Sequence, residues 1–406
     1  MRISDSTYPT PPVREMADSA VTPLHFSVDL VDTEGGFIRL EPVWNSLLWA
    51  SQRPVPFLTW EWIHTWWRHF RGTARLFVIA ARDCNGNVVG LAPLRIVVRK
   101  GYGVVPVRSL ELLGYHASVV GTDHLDFLTA TENREAIVRR LLEEIFARHS
   151  EWDTLVLGGL AEESLLRHLF ARTEPGGIVV ECPGDLCPYV NLSAGWEPLL
   201  RGMKKKRRSF VKCRRERLMQ NHRVSFTVNS SVESVRQCLE TLGRLHGLSR
   251  RRKAEEGNFS HTEYRDFHHD LAERMARAGY LYLAQLDCDD KPVAALYGFH
   301  VGRVLFDYQK GYDPEFAAEG VGAVLQGMVI QDAIERLHAA EFDFLRGAED
   351  YKFFWTEHAR RTFSIHYWKR DVLGVAAIGE WWLRRHLGPQ WRRLQRRWRQ
   401  GASGGV

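Results

Sequence analysis

The chain has 406 residues, 45% hydrophobic and 26% charged, an ordinary globular composition too long for one comfortable core, so two domains are expected. The formal net charge of +6 is uneven: ten basic residues and one acid lie between 201 and 217, seven basic residues and one acid between 379 and 400, and the remainder is net acidic. Two basic segments on an acidic body point to phosphates or anionic surfaces, and the absence of a bilayer-length apolar run argues against a spanning helix.

Residues 1–22 are polar and Pro-rich and read as a disordered leader, with no apolar stretch after a basic start that would mark a signal peptide. A cytoplasmic protein is expected, and the scattered cysteines fit a reducing compartment. PFLTWEWIHTWWRHF places its aromatics at helical spacing and reads as a helix sealing the first core. LFVIAARD and VVGLAPLRIVV flank Cys-Asn-Gly-Asn as a hairpin; SLELLG and HLDFLTA read as strands. Residues 134–149 follow as a helix and DTLVLGGL as a buried strand. After a division near 188–195, the basic stretch RGMKKKRRSFVKCRRERLMQ reads as a helix, VSFTVNS as a strand, and 232–253 and 262–278 as helices. The earlier order then returns. LYLAQLD and VAALYGFHV flank Cys-Asp-Asp-Lys-Pro, RVLFDYQKGY follows, then a helix over about 322–339, then FDFLRG. One order of elements met twice predicts two copies of an α/β unit, 23–190 and 191–372, followed by a basic segment 373–406.

Familiar catalytic signatures are missing. HExxH, Walker A and GxSxG do not occur, and His64 and His69 are five apart, off the register of a helical metal pair, so no metal is expected. The chemistry instead gathers around DFLRGAEDYKFFW (343–355), where an acid, an arginine, a tyrosine and a lysine crowd one strand end. Upstream, GYDPEFAAEGVGAVLQG carries Gly320 and Gly322 into a helix start, where bare backbone and unpaired N–H groups suit a pyrophosphate. An ordinary loop-to-helix junction would read the same, and Glu319 would repel a phosphate.

Hairpin, long strand, glycine loop, helix and a strand ending DFLRGAEDYKFFW resemble the GNAT acetyltransferase superfamily, and more narrowly its tandem CelD-like branch of cellulose and exopolysaccharide biosynthesis. PFLTWEWIHTWWRHF, MKKKRRSFVKCRRERL and FDFLRGAEDYKFFW carry the resemblance, over roughly 25–370; where many relatives read Ser-Pro-Gly, this chain has Ala318-Glu319-Gly320. It implies two tandem GNAT-like units, each a mixed, mostly antiparallel sheet flanked by helices. It also implies acetyl-CoA or a longer acyl-CoA as donor and an amine or sugar hydroxyl as acceptor, in envelope or exopolysaccharide formation. Gly320, Val321, Gly322 and Ala323 would meet the donor. Asp343 would orient or deprotonate the acceptor, Tyr351 donate a proton, and Lys352 and Arg346 hold a phosphate or anionic acceptor. Tyr308 and Gln309, in the run Asp307–Lys310 that ends the preceding strand, would touch the acceptor. Structural alternatives remain for each: an Asp343–Arg346 ion pair at a strand end, Phe353–Trp355 as core, Tyr308 and Gln309 on a solvent face. The first unit has neither the Tyr-Lys pair nor the glycine loop and is expected to be catalytically silent.

The basic helix 201–217 and the Arg/Trp segment 379–400 fit peripheral contact with an anionic membrane at its inner face. Fem-type transferases, which resemble the same tandem fold, take aminoacyl-tRNA, so tRNA is the rival partner. A non-catalytic scaffold for a polysaccharide synthase is the rival from another class.

Overall fold

The computed structural model describes residues 25–100, 106–115, 120–173, 176–252 and 257–371, with 374–375, 377–379 and 381–382 beyond them. The leader 1–22 and most of the basic segment 379–400 therefore lie outside the described residues.

In the first half the strands are β1 (Ser27–Val31), β2 (Arg75–Leu76), β3 (Val78–Arg82), β4 (Val88–Ala92), β5 (Leu94–Lys100), β6 (Pro106–Leu112), β7 (Leu128–Thr129) and β8 (Thr154–Leu160). A long strand β9 (Ile178–Asn191) leads into β10 (Val224–Asn229), β11 (Leu281–Cys288), β12 (Lys291–Val301), β13 (Val304–Tyr312), β14 (Glu341–Asp343) and β15 (Ala359–Trp368). They form a sheet ordered β1-β3-β4-β7 and a larger one ordered β10-β11-β12-β13-β14-β9-β15-β8-β6-β5-β2. Two strand pairs are parallel, β6 with β8 and β13 with β14. A parallel pair needs a crossover, and each has its helix, Arg134–Ala147 in one case and Val321–Glu335 in the other. The other strand pairs are antiparallel. This is the expected tandem α/β arrangement of two mixed, mostly antiparallel units.

The hairpins follow from turn chemistry. Asp83 Oδ1 accepts from Asn85 N and Asn87 N, and Gly86 takes the positive φ of 82° that closes the β3–β4 turn. The boundary expected near 190 falls at the end of a strand that belongs to both halves. The start of β9 pairs with β15, its last residues pair with β14, and β15 also pairs with β8. One sheet therefore runs through both units.

Helix Trp60–Phe70 is capped by Thr59, whose Oγ1 accepts from Trp62 N. Its tryptophans are buried, as their spacing requires. They seal more than the first core. The Trp62 ring lies 5.6 Å from Phe267, 5.7 Å from Phe299 and 5.5 Å from Tyr308, all in the second unit. The basic stretch forms helix Lys205–Asn221, with Leu218 its one buried residue. It has no apolar stripe, and it leans on helix Val321–Glu335 through Val211 near Gly327 and an Arg215–Gln331 hydrogen bond of 2.7 Å.

Candidate functional site

The parallel pairing of β13 with β14 stops at Phe306 opposite Asp343. Beyond it β13 runs on to Tyr312 while the other chain turns away, using positive φ at Leu345 (55°) and Gly347 (112°). The edge of β13 from Asp307 onward is left without a strand partner on that side, and the two strands form an open wedge. A register shift between Tyr297 and Gly298 leaves Tyr308 as the extra residue of a bulge, which re-aims the side chains that follow.

Lys310 lines this wedge. Its Nζ donates to Asp307 Oδ2 at 2.5 Å and to Gln326 Oε1 at 2.6 Å, and it sits 4.3 Å from the Tyr351 ring centroid. Burial pulls the Lys310 pKa below the ordinary lysine value, against the pull of Asp307. Gln326 is 3% exposed, and its Nε2 has no hydrogen-bond partner among the described residues. A buried amide N–H left unpaired is costly, so this one is a donor waiting for an oxygen.

The stretch 343–355 divides into two jobs. Asp343 is fully buried. Arg53 Nη2 donates to its Oδ2 at 2.5 Å, His124 Nε2 lies 3.2 Å from the same oxygen, and Leu345 N donates to Oδ1 at 2.7 Å. Burial alone would raise this carboxyl, but His124 and Arg53 outweigh it and hold Asp343 far below the usual carboxylate range. Such a carboxylate is a weak base and an effective anchor. Arg346 also reaches into the first unit, donating from Nε to Asp123 Oδ1 at 3.0 Å and from Nη2 to Thr122 O. Lys352 is 3% exposed and holds the turn, donating to the carbonyls of Leu345 and Arg346 and pairing with Glu349 at 3.0 Å. Tyr351, 43% exposed, is the one member that faces both Lys310 and solvent. Among the rings after it, Trp355 is buried and Phe354 is half-buried.

Tyr308 points to the opposite face from Lys310. Its hydroxyl is 3.4 Å from Nε2 of His268, whose complete burial keeps the imidazole neutral. Gln309 Oε1 accepts from Lys310 N at 3.3 Å. Gly320 adopts φ 73° and starts helix Val321–Glu335, Val321 is buried, and the N–H of Ala323 returns to Gly320 O at 2.9 Å. The amides of Val321 and Gly322 have no acceptor within the helix. A Cβ on Gly322 would meet only the Tyr312 ring, at 3.7 Å, so backbone is open there. The carboxylate of Glu319 beside the loop is offset by His222, whose Nε2 lies 2.9 Å away; the hydrogen bond to Asp289 and then Glu319 itself raise this histidine's pKa. Among the described residues no three metal-ligating side chains gather, and no helix is long and apolar enough to cross a membrane.

In the first unit the corresponding parallel pair, β6 with β8, ends at Glu111 opposite Val156, one residue before β6 itself ends, and the space beside it is filled. The Tyr115 ring lies on Gly158, where an added Cβ would come within 2.1 Å of Tyr115 Cζ. Sequence reasoning brought Tyr351 and the glycine loop to one region and passed over Gln326 and the roles of Asp307 and Lys310. The signal for Gln326 was its polarity in the otherwise apolar run VGAVLQGMVI.

Residues 205–353 match the family model described as an acetyltransferase (GNAT) domain. No curated protein matches the chain. Among solved structures, FemX is similar at 10% identity and TM-score 0.57, over 81% of this chain and 96% of that one. A conserved protein of unknown function from Bacteroides thetaiotaomicron VPI-5482 is similar at 12% identity and TM-score 0.53, over 84% of this chain and 100% of that one. Likeness at this level of identity speaks for the fold alone, and it spans both units. The match to the GNAT model thus falls on the second unit, the one that holds the open wedge.

Proposed function

We propose that this chain is an acyltransferase that moves an acyl group, acetyl or longer, from a CoA thioester to an amine, with the reaction in the wedge between β13 and β14. The observation that carries this reading is the unpaired, buried amide N–H of Gln326, whose Oε1 is hydrogen-bonded to Lys310 on the part of β13 past Phe306 that no strand covers on the β14 side. Two donors and free backbone in a water-poor slot suit an oxygen on which negative charge develops. Attack of the amine nitrogen on the thioester carbonyl forms the C–N bond, and collapse breaks the C–S bond. Tyr351 gives its proton to the departing thiolate with the Lys310 charge beside it, the acceptor's excess proton leaves at the exposed rim, and solvent there returns a proton to Tyr351. Asp307 holds Lys310 in place. Asp343, Arg346 and Lys352 fasten the strand end to the first unit and keep the wedge open. Tyr308 and Gln309 fix the bulge from the other face and reach the acceptor only through it. The CelD-like resemblance favours an acceptor in envelope or exopolysaccharide material, and an enzyme in the cytoplasm with peripheral contact at an anionic membrane.

The donor assignment is tested at the helix start. Acetyl-CoA is expected to stabilise the full chain in a thermal-shift assay, by about 2.7 kcal/mol at a hundredfold excess over Kd. Gly322→Val should abolish that shift with an unchanged circular dichroism spectrum, because its side chain enters open space above Tyr312. An undiminished shift in the variant removes the pyrophosphate from this loop. A chain indifferent to acetyl-CoA that copurifies with tRNA is instead an aminoacyl-tRNA enzyme.

The filled space in the first unit gives a second expectation. The wild type should bind one acetyl-CoA per chain, and Tyr115→Ala, which empties that space without supplying a glycine loop, should also bind one. Two equivalents bound by the wild type would contradict a silent first unit.

A further inference from the structure

We propose that the groove along helix Lys205–Asn221 holds the phosphorylated nucleotide end of the donor, the 3′-phosphate and adenine of a CoA thioester. This rests on the CoA reading above and extends it to a surface outside the wedge.

The groove is an open face of this one helix, and Lys205, Lys206, Arg214 and Arg217 line it together with Phe210. No carboxylate lines it. Lys205, Lys206 and Arg217 have no ion-pair partner among the described residues, although 49 acids are spread over the chain. Like charges three and four residues apart on one helix repel, and this helix has no apolar stripe to offset that cost. A bound polyanion would.

Phe210 adds a chemical clue. It is 36% exposed, and its ring is held by Phe354 at 5.5 Å and by the Arg214 guanidinium at 5.2 Å from its centroid. An exposed ring fixed among cations is a platform on which a flat base stacks while its phosphates meet the charges.

The groove also leads to the right place. Arg214 both lines it and donates to Ala318 O in the glycine loop, and its Cδ stands 3.5 Å from where a Cβ on Gly320 would sit. From Arg214 the path continues over the free amides of Val321 and Gly322, past Tyr312, to Lys310 and Gln326. Nucleotide, pyrophosphate, pantetheine arm and thioester follow each other in that order along one donor. A lipid surface is the poorer occupant, because an interfacial helix needs a broad apolar face and this one exposes only Phe210 and Met219 among its large apolar side chains.

The test is calorimetric titration of the full chain with CoA, dephospho-CoA, which lacks only the 3′-phosphate, and deacylated tRNA, with sedimentation against phosphatidylglycerol vesicles alongside. The wild type should bind CoA at least tenfold more tightly than dephospho-CoA. The double variant Lys206→Glu/Arg217→Glu should bind the two equally, at about the wild-type affinity for dephospho-CoA. Both positions are on the surface, so circular dichroism should be unchanged. Phe210→Ala, without any change of charge, should weaken both ligands alike. If CoA binds and the variant discriminates as the wild type does, the groove assignment fails while the donor reading stands. It fails in the same way if the charge reversals abolish binding to vesicles or tRNA and leave CoA untouched. If the wild type binds no CoA, both readings fall.

Discussion

Lys310→Met is expected to lower kcat for acyl transfer by about 10²-fold or more, the scale of a positioned donor or acid–base group. Thiol release from acetyl-CoA in the presence of an amine acceptor reads this directly. Methionine keeps the length of the side chain and removes the charge that Asp307, Gln326 and the Tyr351 ring surround. Binding of CoA should change little, because the contacts proposed for its phosphates are at the helix start and beyond. The pH profile carries independent information. Burial lowers the Lys310 pKa, and the charged form does the work, so wild-type activity should fall as pH rises through a value below that of an ordinary lysine. Asp307 and Glu349 oppose that shift and Lys352 adds to it, so Asp307→Asn should move the alkaline limb to still lower pH. A variant that loses stability but keeps its turnover per folded molecule would make Lys310 a structural residue.

The second large effect is on stability. Asp343→Asn should destabilise the chain by about 1.5–3 kcal/mol, the scale of a lost buried hydrogen bond to a charged group. Arg53 loses one of its two 2.5 Å partners and keeps Glu341, and His124 faces a neutral amide in a fully buried site. The Asn side chain can still accept from Leu345 N, so the turn itself survives. The double variant Asp343→Asn/Arg53→Met should recover part of the loss, and the difference from additivity measures the pair. The sign of the pH dependence is fixed. The folded pKa lies below the unfolded one, so the contribution is complete above about pH 3.9 and is lost as pH falls further toward the folded value. The variant should lack this acid limb. If Asp343→Asn instead leaves the melting temperature alone and removes turnover, Asp343 is the base and the ion-pair reading is wrong.

The architecture was legible wherever local chemistry decides it. Alternating strands around the Asn-Gly and Asp-Asp turns and the tryptophan spacing all act within a few residues, and they appear in the structure as read. Strands β9 and β15 were missed because Pro183, Gly184 and Pro188 interrupt the pattern of β9 like loop residues, and only pairing across the whole chain makes the strand. The site was half legible for the same reason. The crowding of charge at 343–352 was visible in the sequence, but what those charges touch was not. The partners of Asp343 and Arg346 are 290 and 223 residues away. The wedge itself arises from where two strands stop pairing, and a lone glutamine in an apolar helix meets Lys310 only after the helix has been laid on the sheet.

Titration of the full-length chain with acetyl-CoA, followed by thiol release with and without an amine, is the most direct measurement of whether a CoA thioester reacts in the wedge of the second unit. Saturable binding that Gly322→Val removes, with turnover that Lys310→Met removes while binding persists, is the expected result. Binding and turnover unaffected by either change, or no binding of acetyl-CoA at all, would contradict it.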